Sequence, residues 1–279
     1  MPKVKNLLAE LPEPEIIDVD ALKASLDCGD VELVCVLGPT ASGKTRYAVQ
    51  LARQLGGEII SADSRQVYRR MDIGTGKDLA EYGDVPYHLI DIAEPGTQYN
   101  VFRFREDFFR TYDDIRSRGG IPILCGGTGL YINAVTGGYD FKSSKPLSAA
   151  PQAPSADAPK TFFIGTLVSR EVRNARIDAR LDARLQEGMI YEIKGLLDSG
   201  VPAETLISYG LEYKFVTLYL TGQLDYASMR EHLAIAIHQF AKRQMTWFRG
   251  MEKRGTPIRW LDTSLPLDQR IRQVKDWLK

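Results

Sequence analysis

Apolar residues in this chain follow two patterns. Short unbroken runs at residues 33–37, 58–62, 121–125 and 161–168 have the length and composition of buried strands. Residues 46–55 and 100–118 instead repeat apolar positions at helical spacing. In the second of these, Phe104, Phe108 and Tyr112 recur every four residues and form a core stripe. A third helical stretch, residues 234–249, has Leu233, Ile237, Phe240 and Trp247 along its buried side, while Gln239, Lys242, Arg243 and Thr246 share another face. Lesser signals predict a short helix over 20–26, a strand over 86–92, a strand over 258–261 and a closing helix over 265–278. Strands alternating with helices predict an α/β fold with a parallel central sheet flanked by helices.

The polar stretches divide the chain. Residues 1–30 are acidic, interrupted by Pro12 and Pro14, and read as an N-terminal extension packed on the outside. Residues 31–140 form the core. Within 143–160, 13 of 18 residues are Ala, Pro or Ser, too poor in apolar groups to pack, so 141–160 is expected to be a flexible linker. Residues 161–279 return to the core and add C-terminal helices as a reduced helical subdomain. With 279 residues, 44% of them hydrophobic, the chain can bury one full core and a smaller second unit. Lys+Arg and Asp+Glu balance at 36 each, so any nucleic-acid surface has to be local. Cys28, Cys35 and Cys125 lack metal-ligand spacing, and the last two sit in strand-like runs as core filler. No run of 18 apolar residues and no signal-peptide core occur, so a soluble, cytoplasmic protein with no membrane partner is expected, working as a monomer.

Candidate chemistry concentrates at Gly38-Pro39-Thr40-Ala41-Ser42-Gly43-Lys44-Thr45, between the first strand and the first helix. Strand, G-x-x-x-x-G-K-T, then helix is the P-loop arrangement, in which backbone N–H groups and a helix N-terminus face a polyphosphate. Lys44 would neutralise phosphate charge, and the Thr45 hydroxyl would hold Mg²⁺ or a phosphate oxygen. The second strand delivers Asp63, Ser64, Arg65 and Gln66 to the carboxyl end of the sheet. Asp63 there fits a helix N-cap and a catalytic carboxylate equally well. Gly74-Thr75-Gly76-Lys77 reads as a surface loop. Asp91 suits a Mg²⁺ partner or, better, a polar pair with His88. Gly126-Gly127-Thr128-Gly129 is a second strand-to-helix turn, expected to aim N–H groups and the Thr128 hydroxyl into the same cleft. Arg173, Arg176, Arg180 and Arg184 make one helix face basic, but Asp178 and Asp182 interleave, which leaves a solvated, salt-bridged face open.

Five segments then stand in order: G-P-T-A-S-G-K-T from Gly38, S-A-D-S-R-Q-V-Y from Ser61, H-L-I-D-I from His88, G-G-T-G-L-Y from Gly126 and A-K-R-Q-M-T-W-F-R from Ala241. The set resembles the tRNA dimethylallyltransferases (tRNA isopentenyltransferases) from about Val31 to Leu261. The resemblance implies a P-loop NTPase-like sheet and transfer of a dimethylallyl group from dimethylallyl diphosphate to N6 of an adenine in the tRNA anticodon loop (adenosine 37). It implies Mg²⁺ as cofactor, with Thr45 as its protein contact. Lys44 and Thr45 would meet the diphosphate, Asp63 would take the N6 proton, and Ser64, Arg65, Gln66, Thr128, Lys242 and Arg243 would face the acceptor. Arg176 and Arg180 are further phosphate candidates. Two features depart from the family pattern. The family's helical insertion after G-G-T-G-L-Y is replaced here by the Ala/Pro/Ser stretch, and its I-G-Y-K-E region is only approximate, at residues 208–215. Both fall on RNA grip, which keeps a free adenine nucleotide (AMP, ADP or ATP) open as the acceptor. A P-loop small-molecule kinase is the alternative of a different class.

Overall fold

The computed structural model describes residues 17–137 and 158–262, with the backbone of 139–140 and 145–146. The first part of the expected extension, most of the Ala/Pro/Ser stretch and the expected closing helix lie outside the described residues. Helix α1 (Val19–Asp27) is capped by Asp18, whose carboxylate accepts from the Ala21 amide at 3.0 Å. Then come β1 (Leu33–Leu37), α2 (Lys44–Leu55), β2 (Gly57–Ser61), β3 (Tyr87–His88), α3 (Val101–Ser117), β4 (Ile121–Gly126) and α4 (Gly129–Val135). A two-residue ribbon, β5 (Tyr139–Asp140) with β6 (Lys145–Pro146), precedes β7 (Thr161–Leu167). Five helices, α5 (Arg170–Glu187), α6 (Met189–Asp198), α7 (Ala203–Tyr209), α8 (Leu211–Leu220) and α9 (Tyr226–Lys253), lead to β8 (Ile258–Asp262).

Six strands pair in the order β3-β2-β4-β1-β7-β8, every pair parallel. The fold is the expected α/β sheet flanked by helices. Strand β1 lies inside it, and its unbroken apolar run follows from burial on both faces. Leu33, Cys35 and Leu37 pack with Phe104 and Phe108 of α3 and with the C-terminal helices, while Val34 and Val36 pack with Leu51 and Ala52 of α2 and Leu22 of α1. The carboxyl ends of β2, β4, β1 and β7 therefore stand side by side, which is where open parallel sheets gather ligands.

Two expected elements differ. The strand over 86–92 is paired only at Tyr87 and His88. Leu89 and Asp91 take left-handed backbone conformations (φ 61° and 57°), which no strand accommodates. The helix over 234–249 is longer at both ends: it starts at Tyr226, where Asp225 caps it by accepting from the Ser228 amide at 2.7 Å, and it runs on to Lys253.

Candidate active site

The P-loop occupies the turn from β1 into α2. Gly38 is required there by a close approach: a Cβ on it would lie 2.1 Å from Thr166 Oγ1 of β7. Behind the loop, Ser42 is fully buried and its hydroxyl lies 2.6 Å from that of Thr166, which also donates to Leu37 O at 3.3 Å. Pro39 is buried as well. Thr40, Lys44 and Thr45 face a cleft whose other walls are Asp63, Thr128 and Arg180. On the loop's other flank, Ala41, Gly43, Lys44 and Thr45 share a second opening with Arg176 and Arg180. Burial pulls the Lys44 ammonium below its ordinary value, and Asp63 is among the charges that oppose the shift. A desolvated cation at a P-loop is a site for an anion.

Asp63 enters the cleft from the end of β2. Its Oδ1 accepts from the Arg65 amide at 3.0 Å, and residues 64–67 form turns instead of a helix. The helix-capping alternative therefore falls, and the carboxylate closes a local turn. Thr128 Oγ1 accepts from the Ser64 amide at 3.1 Å, and the Thr128 amide donates to Ala62 O at 3.1 Å. That amide is spent inside the protein, contrary to its expected aim into the cleft. Arg65 and Gln66 line the cleft but are held by protein groups, Arg65 by Gly210 O at 3.4 Å and Gln66 by Gly76 O at 3.2 Å.

The basic face of α5 is resolved in the same way. Asp178 pairs with His238 at 2.8 Å and Asp182 with Arg230 at 2.7 Å, both on α9. The acids are thus used between helices, and Arg176, Arg180 and Arg184 are turned to the P-loop side. Lys242 and Arg243 are exposed on α9, as the sequence pattern indicated, and neither lines the cleft itself, but the Arg243 guanidinium lies 5.9 Å from the ring of Phe240, a lining residue that Arg65 also faces.

Residues outside the sequence-based candidates also build the site. Gln244 is buried and bridges the two glycine-containing turns, accepting from the Thr40 amide at 2.8 Å and donating to Gly127 O at 3.1 Å. It belongs to the Ala241-Lys242-Arg243-Gln244 segment, but only its position in the fold reveals the bridge. The segment expected as a surface loop, Gly74-Thr75-Gly76-Lys77, instead forms a cleft wall through its first three residues. Lys77 is buried and ion-paired with Asp72 at 2.6 Å and with Asp91. Asp91 is thereby committed to Lys77, while His88 pairs with Glu58 at 2.7 Å, so the expected His88–Asp91 pair does not form. The carboxylate of Glu192 accepts from the amides of Asp72, Ile73 and Gly74 at 2.7, 2.7 and 3.0 Å, and from the Tyr213 hydroxyl at 2.8 Å. That nest of amides is already filled by a protein anion. Cys125 lines the cleft, but burial pushes its thiol up to about 12, so it presents no thiolate.

A parallel sheet whose P-loop, carboxylate and arginine-bearing helix meet in one cleft defines a phosphate-binding P-loop enzyme. Family models narrow the class: residues 66–157 and 141–251 match IPP transferase, and residues 31–82 match isopentenyl transferase. The chain is 47% identical to tRNA dimethylallyltransferase 1 of Parabacteroides distasonis, across 86% of this chain and 95% of that one. It is 49% identical to tRNA dimethylallyltransferase 1 of Porphyromonas gingivalis, across 87% and 97%. The full-length tRNA isopentenylpyrophosphate transferase of Bacillus halodurans has the same fold, with a TM-score of 0.76 at 30% identity over 88% of this chain and 95% of that one. The chain belongs to the tRNA dimethylallyltransferase family. The Parabacteroides alignment runs over 292 positions while engaging only 86% of 279 residues, so that relative holds residues this chain lacks. The two IPP transferase matches overlap within 141–157, inside the Ala/Pro/Ser stretch.

Proposed function

We propose that this protein transfers a dimethylallyl group from dimethylallyl diphosphate to N6 of an adenine in tRNA. The observation that carries the proposal is the joint placement of Lys44, Thr45, Arg180, Asp63 and Thr128 around one cleft. Lys44, the loop amides and Arg180, with Arg176 beside the second opening, would bind the diphosphate, and the C–O bond would break with its electron pair leaving on it. Carbon would bond to N6, whose lone pair is otherwise delocalised into the ring. Asp63 would take the proton that N6 loses, since one of its oxygens is held by Arg65 and the carboxylate faces the cleft.

The donor set suits Mg²⁺ as the finer reading. Among the described residues no group of three or more His, Cys, Asp or Glu could hold a metal. Thr45 lines both openings, and Mg²⁺ characteristically takes few protein ligands beside phosphate oxygens and water. When bound, the ion would neutralise charge on the leaving diphosphate.

The relatives are named for tRNA, which favours tRNA over a free adenine nucleotide. With the chain neutral overall, Lys242 and Arg243 on α9 would supply part of a local RNA surface. The test is mass spectrometry of nucleosides from tRNA incubated with enzyme and dimethylallyl diphosphate, together with kcat/KM for an anticodon stem-loop and for AMP at two salt concentrations. A prenylated adenosine in tRNA, and a stem-loop preference that declines with salt, are expected. Equal use of AMP without salt dependence would transfer the function to free nucleotides, and γ-phosphate transfer from ATP would make the protein a kinase.

A further inference from the structure

Glu212 is one of few charged residues buried in the described structure, and it takes no part in the proposed transfer. It lies at the start of α8, in the stretch where the family pattern is only approximate. Its carboxylate lies within ion-pair range of two arginines that line the cleft from different segments. Arg65 Nη1, from the segment that carries Asp63, lies 3.5 Å from Oε2, and Arg184 Nη1, from α5, lies 3.9 Å from Oε1. The Arg184 side chain is only 12% exposed. A buried carboxylate without a cation would be strongly destabilising, and so would a buried guanidinium without an anion. One carboxylate shared between two guanidiniums, at distances beyond a close ion pair, leaves an excess of positive charge.

Arg184 is placed to offer that excess to a phosphate. It lines the main cleft with Lys44 and Thr45, and it lines a smaller recess against Thr40 and Ala41 of the P-loop. Its guanidinium lies against the backbone of Gly76: a Cβ there would come within 1.5 Å of Nη2, and within 2.6 Å of Arg180 Nη2. Two guanidiniums therefore lie against one glycine beside the P-loop. Arg180 has Asp78 as a partner, whereas among the described residues Arg184 forms an ion pair with Glu212 alone. Burial first, and Arg180 next, disfavour the charge on Arg184.

We propose that Arg184 is a further diphosphate-binding cation of this site, and that Glu212 is a positioning residue that holds it beside the P-loop and ties it to Arg65 on the acceptor wall. The inference rests on the prenyl-diphosphate reading for its substrate, but the geometry calls only for a diphosphate. Inorganic pyrophosphate therefore tests it independently of the reaction.

The experiment uses the full chain with Arg184→Met, Arg184→Lys, Glu212→Gln and the double variant Arg184→Met/Glu212→Gln. Calorimetry reads pyrophosphate affinity, and steady-state kinetics read KM for dimethylallyl diphosphate and for the stem-loop separately. Arg184→Met is expected to weaken pyrophosphate and raise the donor KM by about tenfold or more, with Arg184→Lys recovering part of the loss. The stem-loop KM is expected to stay within about twofold, a split that general destabilisation would not produce. Glu212→Gln is expected to weaken pyrophosphate in the parent but to add little in the Arg184→Met background. Unchanged pyrophosphate affinity in Arg184→Met would overturn the proposal, as would an equal loss from Glu212→Gln in both backgrounds. If Glu212→Gln does not fold, the Met and Lys variants at 184 decide the role of Arg184 and, with it, the proposal. Absence of prenyl transfer by the parent would sink the proposed function and leave the pyrophosphate comparison standing.

Discussion

Gln244 and Thr40 are 204 residues apart in sequence and joined at 2.8 Å, the side-chain carbonyl of one accepting from the P-loop amide of the other. The same amide group of Gln244 donates to Gly127 O, so one buried side chain sets the spacing between the phosphate-binding loop and the turn after β4. Replacing it with Gln244→Leu would leave the Thr40 N–H and the Gly127 carbonyl without these partners. A loss of about 1–3 kcal/mol is expected. Thermal melts with and without pyrophosphate check this: a lower Tm and a smaller ligand-induced rise are predicted. A variant that melts like the parent in both conditions would mean that Gln244 only fills space.

Asp63→Asn should separate chemistry from structure. Asparagine keeps an oxygen for the Arg65 amide, so the turn at residues 64–67 survives. What it loses is the base. Transfer should slow by about 10²–10⁴-fold, with the KM for dimethylallyl diphosphate nearly unchanged. Single-turnover rates are the measurement. Activity within a few-fold of the parent would reduce Asp63 to a turn residue.

Glu192 is predicted to be a stability residue for the cleft wall. Its carboxylate serves three consecutive amides and the Tyr213 hydroxyl. Glu192→Ala orphans all of these donors and should cost about 3 kcal/mol in urea unfolding. The 72–74 amides should then exchange faster with deuterium. Slow exchange there in the variant would contradict the arrangement.

Stability should fall with acid partly through Glu58. Hydrogen bonding to Arg118, with lesser help from His88, holds its carboxyl below the usual 4.5, against a smaller upward push from burial. A group whose folded-state pKa is depressed contributes stability above its unfolded value and loses it as pH falls through the folded value. The contribution is thus intact above pH 4.5 and declines below it. Comparing Tm from pH 6 to pH 3 for parent and Glu58→Gln should show a shallower decline in the variant at the acid end. Parallel curves would remove Glu58 from the acid response.

The sequence by itself determined the strands of the core, the P-loop and the family. Each of these is written in adjacent residues: β1 as an unbroken apolar run, the loop as G-x-x-x-x-G-K-T, α3 as a four-residue aromatic repeat. Local chemistry is enough when one segment carries the whole pattern. The tertiary structure alone decided which partners the polar groups take. Asp178 and Asp182 look like neighbours for the arginines on their own helix, yet they are closer to bases on α9. The Lys77 side chain reads as surface in a glycine-rich segment, yet it is buried among Tyr68 O, Asp72 and Asp91. Leu89 and Asp91 read as strand, but their left-handed backbone ends the pairing after His88. Gln244 and Glu212 were invisible as site residues because their partners lie on distant segments that only the packed sheet and helices bring within hydrogen-bonding or Coulomb range. Ion pairs and buried hydrogen bonds depend on distance in space, and that distance is fixed only when the separate elements pack together.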